Sequence, residues 1–234
     1  MLRSIKSLYG YRIHAVDGDI GRVCEFLFDD KAWIIRYLVV DTSSWLPGRK
    51  VLIPPGIVKQ SDLASEIFPV VLNKEEVENS PDITTEKPVS LQHQMELYKY
   101  YGPLNRPREG YYNVPPFPPP EREGDPHLRS TEEIIGYRIH ATDGDIGHVD
   151  DFILDVKDWI IRHMVVDTGS WLPGRKVLIS SDWITHIRWR DERVYVDIPK
   201  DIIKDSPEYD PSVPANRQYE IRLYDYYGRP KYWS

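Results

Sequence analysis

One stretch of this chain occurs twice. GYRIHAVDGDIGRVCEFLFDDKAWIIRYLVVDTSSWLPGRKVLI runs from Gly10 to Ile53, and GYRIHATDGDIGHVDDFILDVKDWIIRHMVVDTGSWLPGRKVLI from Gly136 to Ile179. The offset of 126 holds further on, where Ser80-Pro81 falls on Ser206-Pro207 and Tyr101-Gly102 on Tyr227-Gly228. No gap is needed anywhere in that span. The chain is two copies of one module, and function is to be sought in the module first.

Length agrees with the duplication, since 234 residues suit two ordinary domains. Each copy is long enough to bury a core without disulfides or a structural metal. The single cysteine, Cys24, excludes an intrachain disulfide, and its counterpart is Asp150. That pattern suits a reducing cytoplasm. The opening MLRSIKSLYG has no apolar run of signal-peptide length. Trp33 to Val40 is interrupted by Arg36 and falls short of the ~20 residues that span a bilayer. The expectation is a soluble, cytoplasmic protein with no transmembrane segment. A net charge of −7 argues against bulk binding to nucleic acid.

The residue pattern is that of strands. Tyr11 to His14 reads as the first, turned by Asp17-Gly18, because glycine accepts positive φ and Asp tolerates it. Arg22 to Phe28 then alternates, with Val23, Glu25 and Leu27 opposite Cys24, Phe26 and Phe28. Phe26 and Phe152 are the expected core anchors. Trp33 to Thr42 has the β-branched and aromatic content of a strand buried on both faces. Pro47-Gly48 suits a type II turn before Val51 to Ile53. The second copy continues as a closing hairpin from Trp183 to Ile198, and the first as a weaker, in-register version. Short helices are expected at Lys74 to Asn79 and Lys200 to Asp205, stopped by Ser-Pro.

Each copy then extends into an arm ending in a helix. The expected apolar stripes are Leu91, Met95 and Tyr98 in one arm, and Ile221 and Tyr224 in the other. Ser90 and Asn216 are the expected N-caps, and Gly102 and Gly228 the C-terminal glycines. Residues 103–130 hold eight prolines, including the run PFPPPE from Pro116, and read as an extended linker. The expected domains are therefore 1–102 and 131–234, and a cut within Pro115–Pro120 is expected to release two folded halves.

Chemistry-bearing constellations are few. His14, Asp17 and Asp19 (repeated as His140, Asp143 and Asp145) bring imidazole and carboxylates together, but strand alternation puts His14 on the other face, and the turn explains Asp17. Ser43 and Ser44 have no nearby histidine and no nucleophile elbow. There is no phosphate loop, dinucleotide fingerprint or zinc spacing. The expectation is no catalytic residue, no cofactor and no metal. The remaining candidates are partner-binding residues. Trp45, Leu46 and Arg49 recur as Trp171, Leu172 and Arg175, a residue set common in binding hot spots. The alternative is that Trp45 plugs its own module while Arg49 pairs with Asp41. Tyr224 and Tyr227 complete the set, on an arm that packs on a barrel or on a second molecule.

Gly10-Tyr11, Asp17-Gly18-Asp19-Ile20-Gly21, Arg36 to Thr42 and Val51 to Pro54, in that order, resemble the PRC-barrel family. That family includes the cytoplasmic barrel of the photosynthetic reaction-centre H subunit and a domain of ribosome-maturation factors. The resemblance implies a mainly β fold of two tandem small antiparallel barrels, each followed by its arm. It implies little about activity, and the expected function is a non-catalytic protein-binding or self-assembly module with an unidentified protein partner. It also leaves open a ribosome-associated role, or a role tuning electron and proton transfer at a photosynthetic membrane.

Overall fold

In a computed structural model, residues 1–60, 63–81, 91–104, 110–112, 128–169 and 173–233 are described. The proline run from Pro116, the N-cap candidate Ser90 and the loop residues Trp171 and Leu172 lie outside them. The two copies follow one order of strands, except that the second has one more near its end. The first has β1 (Leu2–Ser4), β2 (Arg12–Ala15), β3 (Gly18–Asp29), β4 (Ile34–Asp41), β5 (Lys50–Ile53) and β6 (Ile67–Pro69), then helices α1 (Lys74–Glu78) and α2 (Leu91–Tyr101). The second has β7 (Leu128–Ser130), a helical turn α3 (Thr131–Ile134), β8 (Arg138–Ala141), β9 (Gly144–Asp155), β10 (Ile160–Asp167) and β11 (Lys176–Ser180). It ends with β12 (Ile184–Arg188), β13 (Arg193–Val196), α4 (Lys200–Lys204) and α5 (Arg217–Tyr227).

The Asp-Gly-Asp-Ile-Gly motif does two jobs. Gly18 takes φ +132° and closes the β2–β3 hairpin. Gly21 is where two strands touch: a Cβ there would lie 2.1 Å from the Asp41 carbonyl oxygen, and at Gly147 2.0 Å from that of Asp167. No side chain fits at that distance, so the second glycine sets how closely β4 crosses β3.

Strand β3 departs from the expected alternation. Its pairing with β4 slips between Val23 and Glu25, and the bulge brings Val23 to the same buried side as Phe26 and Phe28. Cys24 is left half-buried, its thiol directed at the Val39 carbonyl 3.4 Å away. Burial pushes that thiol up to about 11, above the ~8.5 of a free cysteine. Native protein should therefore resist iodoacetamide at pH 8 and react once unfolded, as intact-mass spectrometry would record. Strand β4 is buried from Ile35 to Val40 on both faces, as its composition demands.

The strands are mixed rather than purely antiparallel, a correction to the expected barrels. β2 pairs parallel with β6, and β8 parallel with β13. Parallel neighbours need a long crossover, and the meander from β3 to β5 supplies it in the first copy, as β9 to β12 do in the second.

The compact units are not the two halves of the sequence. One unit comprises Leu8–Glu132 with Val156–Ile160; the other comprises Met1–Ser7, Glu133–Asp155 and Ile161–Ser234. In the second of these, β1 pairs antiparallel with β9 through Leu2 and Asp155, Arg3 and Leu154, Ser4 and Ile153. The Ser4 hydroxyl and the Lys6 amide donate to Asp151, and Lys6 Nζ reaches Asp150 at 3.1 Å. In the other unit, β7 pairs with β3, and the Thr131 hydroxyl donates to the Phe26 carbonyl at 3.2 Å. The stretch assigned to the linker thus ends in a strand. Trp159 fills the same unit's core, fully buried, with ring centroids 6.3 Å from Phe26, 5.6 Å from Phe68 and 5.5 Å from Tyr112. Beside it, Ile160 pairs with Ile34, and the Ile35 amide donates to the Trp159 carbonyl at 2.8 Å.

The arm helices match the expected stripes only in part: Tyr224 is buried, Ile221 and Tyr98 are exposed, and the side chains of Leu91 and Met95 lie outside the described residues. Among the described side chains of α2, Leu97 and Tyr101 are buried and Tyr98 is exposed. In α5 the buried residues are Tyr219, Glu220, Leu223 and Tyr224, and Ile221 is exposed. Leu97 and Tyr101 are four apart and so share a face of the helix. Asn216 caps α5 by accepting from the Tyr219 amide, and Gly228 ends it at φ +60°. Gly102 instead continues the helical bonding to Tyr98, with no positive φ.

Candidate functional site

The Trp-Leu-Pro-Gly-Arg loop is held rigidly at its base. The Trp45 and Leu46 amides both donate to the Thr42 carbonyl, at 3.0 and 2.8 Å. The Thr42 hydroxyl closes the loop onto the Arg49 carbonyl at 2.8 Å. Gly48 at φ +76° makes the turn. Trp45 lies half-buried on its own module, its indole N–H donating to the Ile20 carbonyl at 2.6 Å. Arg49 reaches past the loop to the carbonyls of Glu78 and Ser80, where α1 ends. A guanidinium there meets carbonyls with no helical partner and the negative end of the helix dipole. Asp41, the alternative partner for Arg49, accepts from the Ser43 amide and hydroxyl.

The second copy repeats the brace. The Thr168 hydroxyl donates to the Arg175 carbonyl at 2.8 Å, and the Arg175 guanidinium to the Ser206 carbonyl. In the first copy, Pro47 and Gly48 are exposed at the tip and Leu46 is half-exposed beside them. The loop is therefore an ordered, partly apolar projection.

His14 and Asp19 meet, contrary to the expected separation. Pairing between β2 and β3 shifts between Ile13 and His14, which sets His14 opposite Asp19. Nδ1 and Oδ1 are 2.6 Å apart, and 2.7 Å apart in His140 and Asp145. The histidine hydrogen bond, helped by Arg12, holds the Asp19 carboxyl below its usual range. Asp17 faces elsewhere and accepts the Lys74 amide at the start of α1. Among the described residues no group of three His, Cys, Asp or Glu side chains converges as a metal site.

Tyr224 is buried, its hydroxyl 2.9 Å from Ser180 Oγ and its ring 5.2 Å from Trp183. Tyr227 packs on the same tryptophan at 4.6 Å. Burial raises both phenols to about 12. They anchor α5 in its unit, leaving Tyr226 and Ile221 as the exposed apolar groups of that helix.

Sequence reasoning missed the polar cluster beside them. His163 on β10 is fully buried, with Nε2 3.0 Å from Glu220 Oε1. The same oxygen accepts from the Tyr232 hydroxyl at 2.7 Å, and Arg217 lies 3.0 Å from Oε2. His163 Nδ1 has no partner among the described residues. The signal was in the offset: His163, Ser180, Trp183 and Glu220 stand where the first copy has Tyr37, Pro54, Ile57 and Gln94. In the second copy His163 meets Glu220, while Ser180 and Trp183 both meet Tyr224. Replacing Glu220 by Gln should cost ~1–3 kcal/mol by chemical denaturation, since a neutral amide satisfies the surrounding donors poorly.

No curated protein matches the chain. A family model, the PRC-barrel domain, matches residues 2–76 and 127–203. The matched segments include β1 and β7 at their starts, and both carry the glycine motif and the histidine–aspartate clip. Repeat, glycine geometry and matched segments agree: the chain belongs to the PRC-barrel family and carries its domain twice.

Proposed function

We propose that this protein is a non-catalytic binding module whose two PRC-type barrels present the Trp-Leu-Pro-Gly-Arg loop to a protein partner or to further copies of the chain. The observation that carries this reading is the pre-organised loop. Its base is fixed by Thr42 and Arg49, yet Leu46 and Pro47 at its tip remain accessible. A surface already ordered before binding loses little entropy on docking, so a small apolar tip gives useful affinity. The second copy keeps the same bracing residues, which allows two equivalent contacts in one chain and gains from avidity. Among the described residues no helix is long and apolar enough to cross a membrane.

The test is a Leu46→Asp/Leu172→Asp variant compared with wild type. Both proteins are examined by sedimentation velocity and by quantitative capture of partners from the native cell. The expected result is loss of the captured partner, or of the self-assembled species, with an unchanged thermal melt. Identical capture and identical sedimentation would overturn the reading.

A further inference from the structure

The outermost strand of the second copy, β12, has an uncovered edge, and the first copy shows what such an edge accepts. At the matching place in the first copy, Val58 pairs with Val70, and the Lys59 amide donates inward to Pro69 at 2.7 Å. The other edge of that segment is covered by an extended piece of the chain's own backbone. Lys59 pairs antiparallel with Tyr111, the Gln60 amide donates to the Gly110 carbonyl at 2.8 Å, and the Gln60 side chain to the Tyr111 carbonyl at 2.8 Å. In the second copy, Ile184 pairs with Val196 in the same register, and β12 ends the strand order. Among the described residues nothing pairs with its outer edge. Alternate amides and carbonyls of β12 therefore point outward without a strand to receive them.

The side chains around this edge state what would lie there. His186 stacks flat on Tyr195, with centroids 4.3 Å apart and planes 10° apart. The Arg188 guanidinium sits 4.9 Å from the same ring, and His140 meets it edge-on at 5.2 Å. Arg190 follows, exposed. The first copy has Gln60, Asp62, Ala64 and Pro69 where the second has His186, Arg188, Arg190 and Tyr195. At these four positions the first copy is uncharged or acidic, and the uncovered edge of the second carries cations on an aromatic platform. Among the described residues the ion pair of Arg188 is a long one, to Asp191 at 3.9 Å with both groups exposed, so its charge remains available to a ligand.

We infer that β12 is a docking edge for an extended acidic peptide, which adds as a further strand and places alternate carboxylates against His186 and Arg188. Backbone pairing supplies affinity, and the cation–aromatic face selects acidic side chains. The surface does not involve the Trp-Leu-Pro-Gly-Arg loop, so either proposal stands if the other fails.

The test uses the full chain and a fluorescein-labelled heptapeptide in which Glu alternates with Thr and Tyr, followed by anisotropy. Three comparison probes are the same peptide N-methylated at alternate amides, a version with Lys replacing Glu, and a short single-stranded oligonucleotide. Saturable binding of the acidic peptide is expected. It should weaken at least about tenfold on N-methylation or in the Arg188→Glu variant, because each removes an interaction the complex needs. The Lys59→Glu variant, altered at the covered edge, should bind as wild type. Hydrogen exchange should slow at β12 amides in the complex. Equal binding of the N-methylated peptide would overturn strand addition, and tighter binding of the oligonucleotide would make the face a nucleic-acid surface instead. Binding that disappears as protein concentration rises would assign the edge to a second copy, and absence of saturable binding would remove the site altogether.

Discussion

A chain divided within Pro115–Pro120 is expected to give two halves that do not fold when made separately and that recover structure when made together. The first half would keep β2 to β6 but lose β7, the Thr131 hydrogen bond to Phe26 and the whole of Trp159. The second half would keep β8 to β13 but lose β1 and the Ser4 and Lys6 contacts to Asp150 and Asp151. Desolvation raises the Asp151 carboxyl even with its hydrogen bonds to Ser4 and Lys6 in place, and without them a mostly buried carboxyl lacks those donors. Loss of the Trp159 side chain alone is worth ~3–5 kcal/mol. Whole-domain stability is only ~5–15 kcal/mol. Circular dichroism and limited proteolysis of each half, then of the co-expressed pair, check this. A cooperative melt from either half alone would contradict the composition of the units.

Replacing Trp159 by alanine should be the most destabilising single substitution in the unit that it fills. The side chain is fully buried between Phe26, Phe68 and Tyr112, so its removal leaves an aromatic-sized cavity in a core too rigid to collapse. The cost is expected at ~3–5 kcal/mol, a fall in melting temperature on the order of 10 °C for a chain of this size. Trp159→Phe should recover most of that loss. It keeps the aromatic contacts and removes an indole N–H that is buried with no partner among the described residues. Denaturant titrations of both variants give the comparison. A Trp159→Ala protein as stable as wild type would place this ring outside the core.

The sequence by itself determined the module. The offset of 126 established two copies, the Asp-Gly pairs located the hairpins, and the composition of Trp33 to Thr42 marked a strand buried on both faces, observed from Ile34 to Asp41. These features are local: turn chemistry and side-chain type act over a few residues, so a single pass along the chain can read them. The loop could be located in the same way, from Trp45 to Arg49, but not its bracing. That Arg49 reaches Ser80, across a span of unrelated sequence, depends on where α1 ends in space.

Tertiary structure alone decided three further matters. The bulge after Val23 and the shift at His14 each move a strand by one residue, and a one-residue slip exchanges the faces of every side chain beyond it. Alternation counted along the sequence therefore placed Val23 opposite Phe26 and His14 apart from Asp19. The cluster of His163 and Glu220 joins a strand to a helix 57 residues away, and only the docking of α5 brings the two together. Last, the units take their strands from both halves of the chain. Backbone pairing carries no label saying which copy a strand came from. Two nearly identical copies offer β1 and β7 equivalent places, so sequence leaves that choice open and the folded chain makes it.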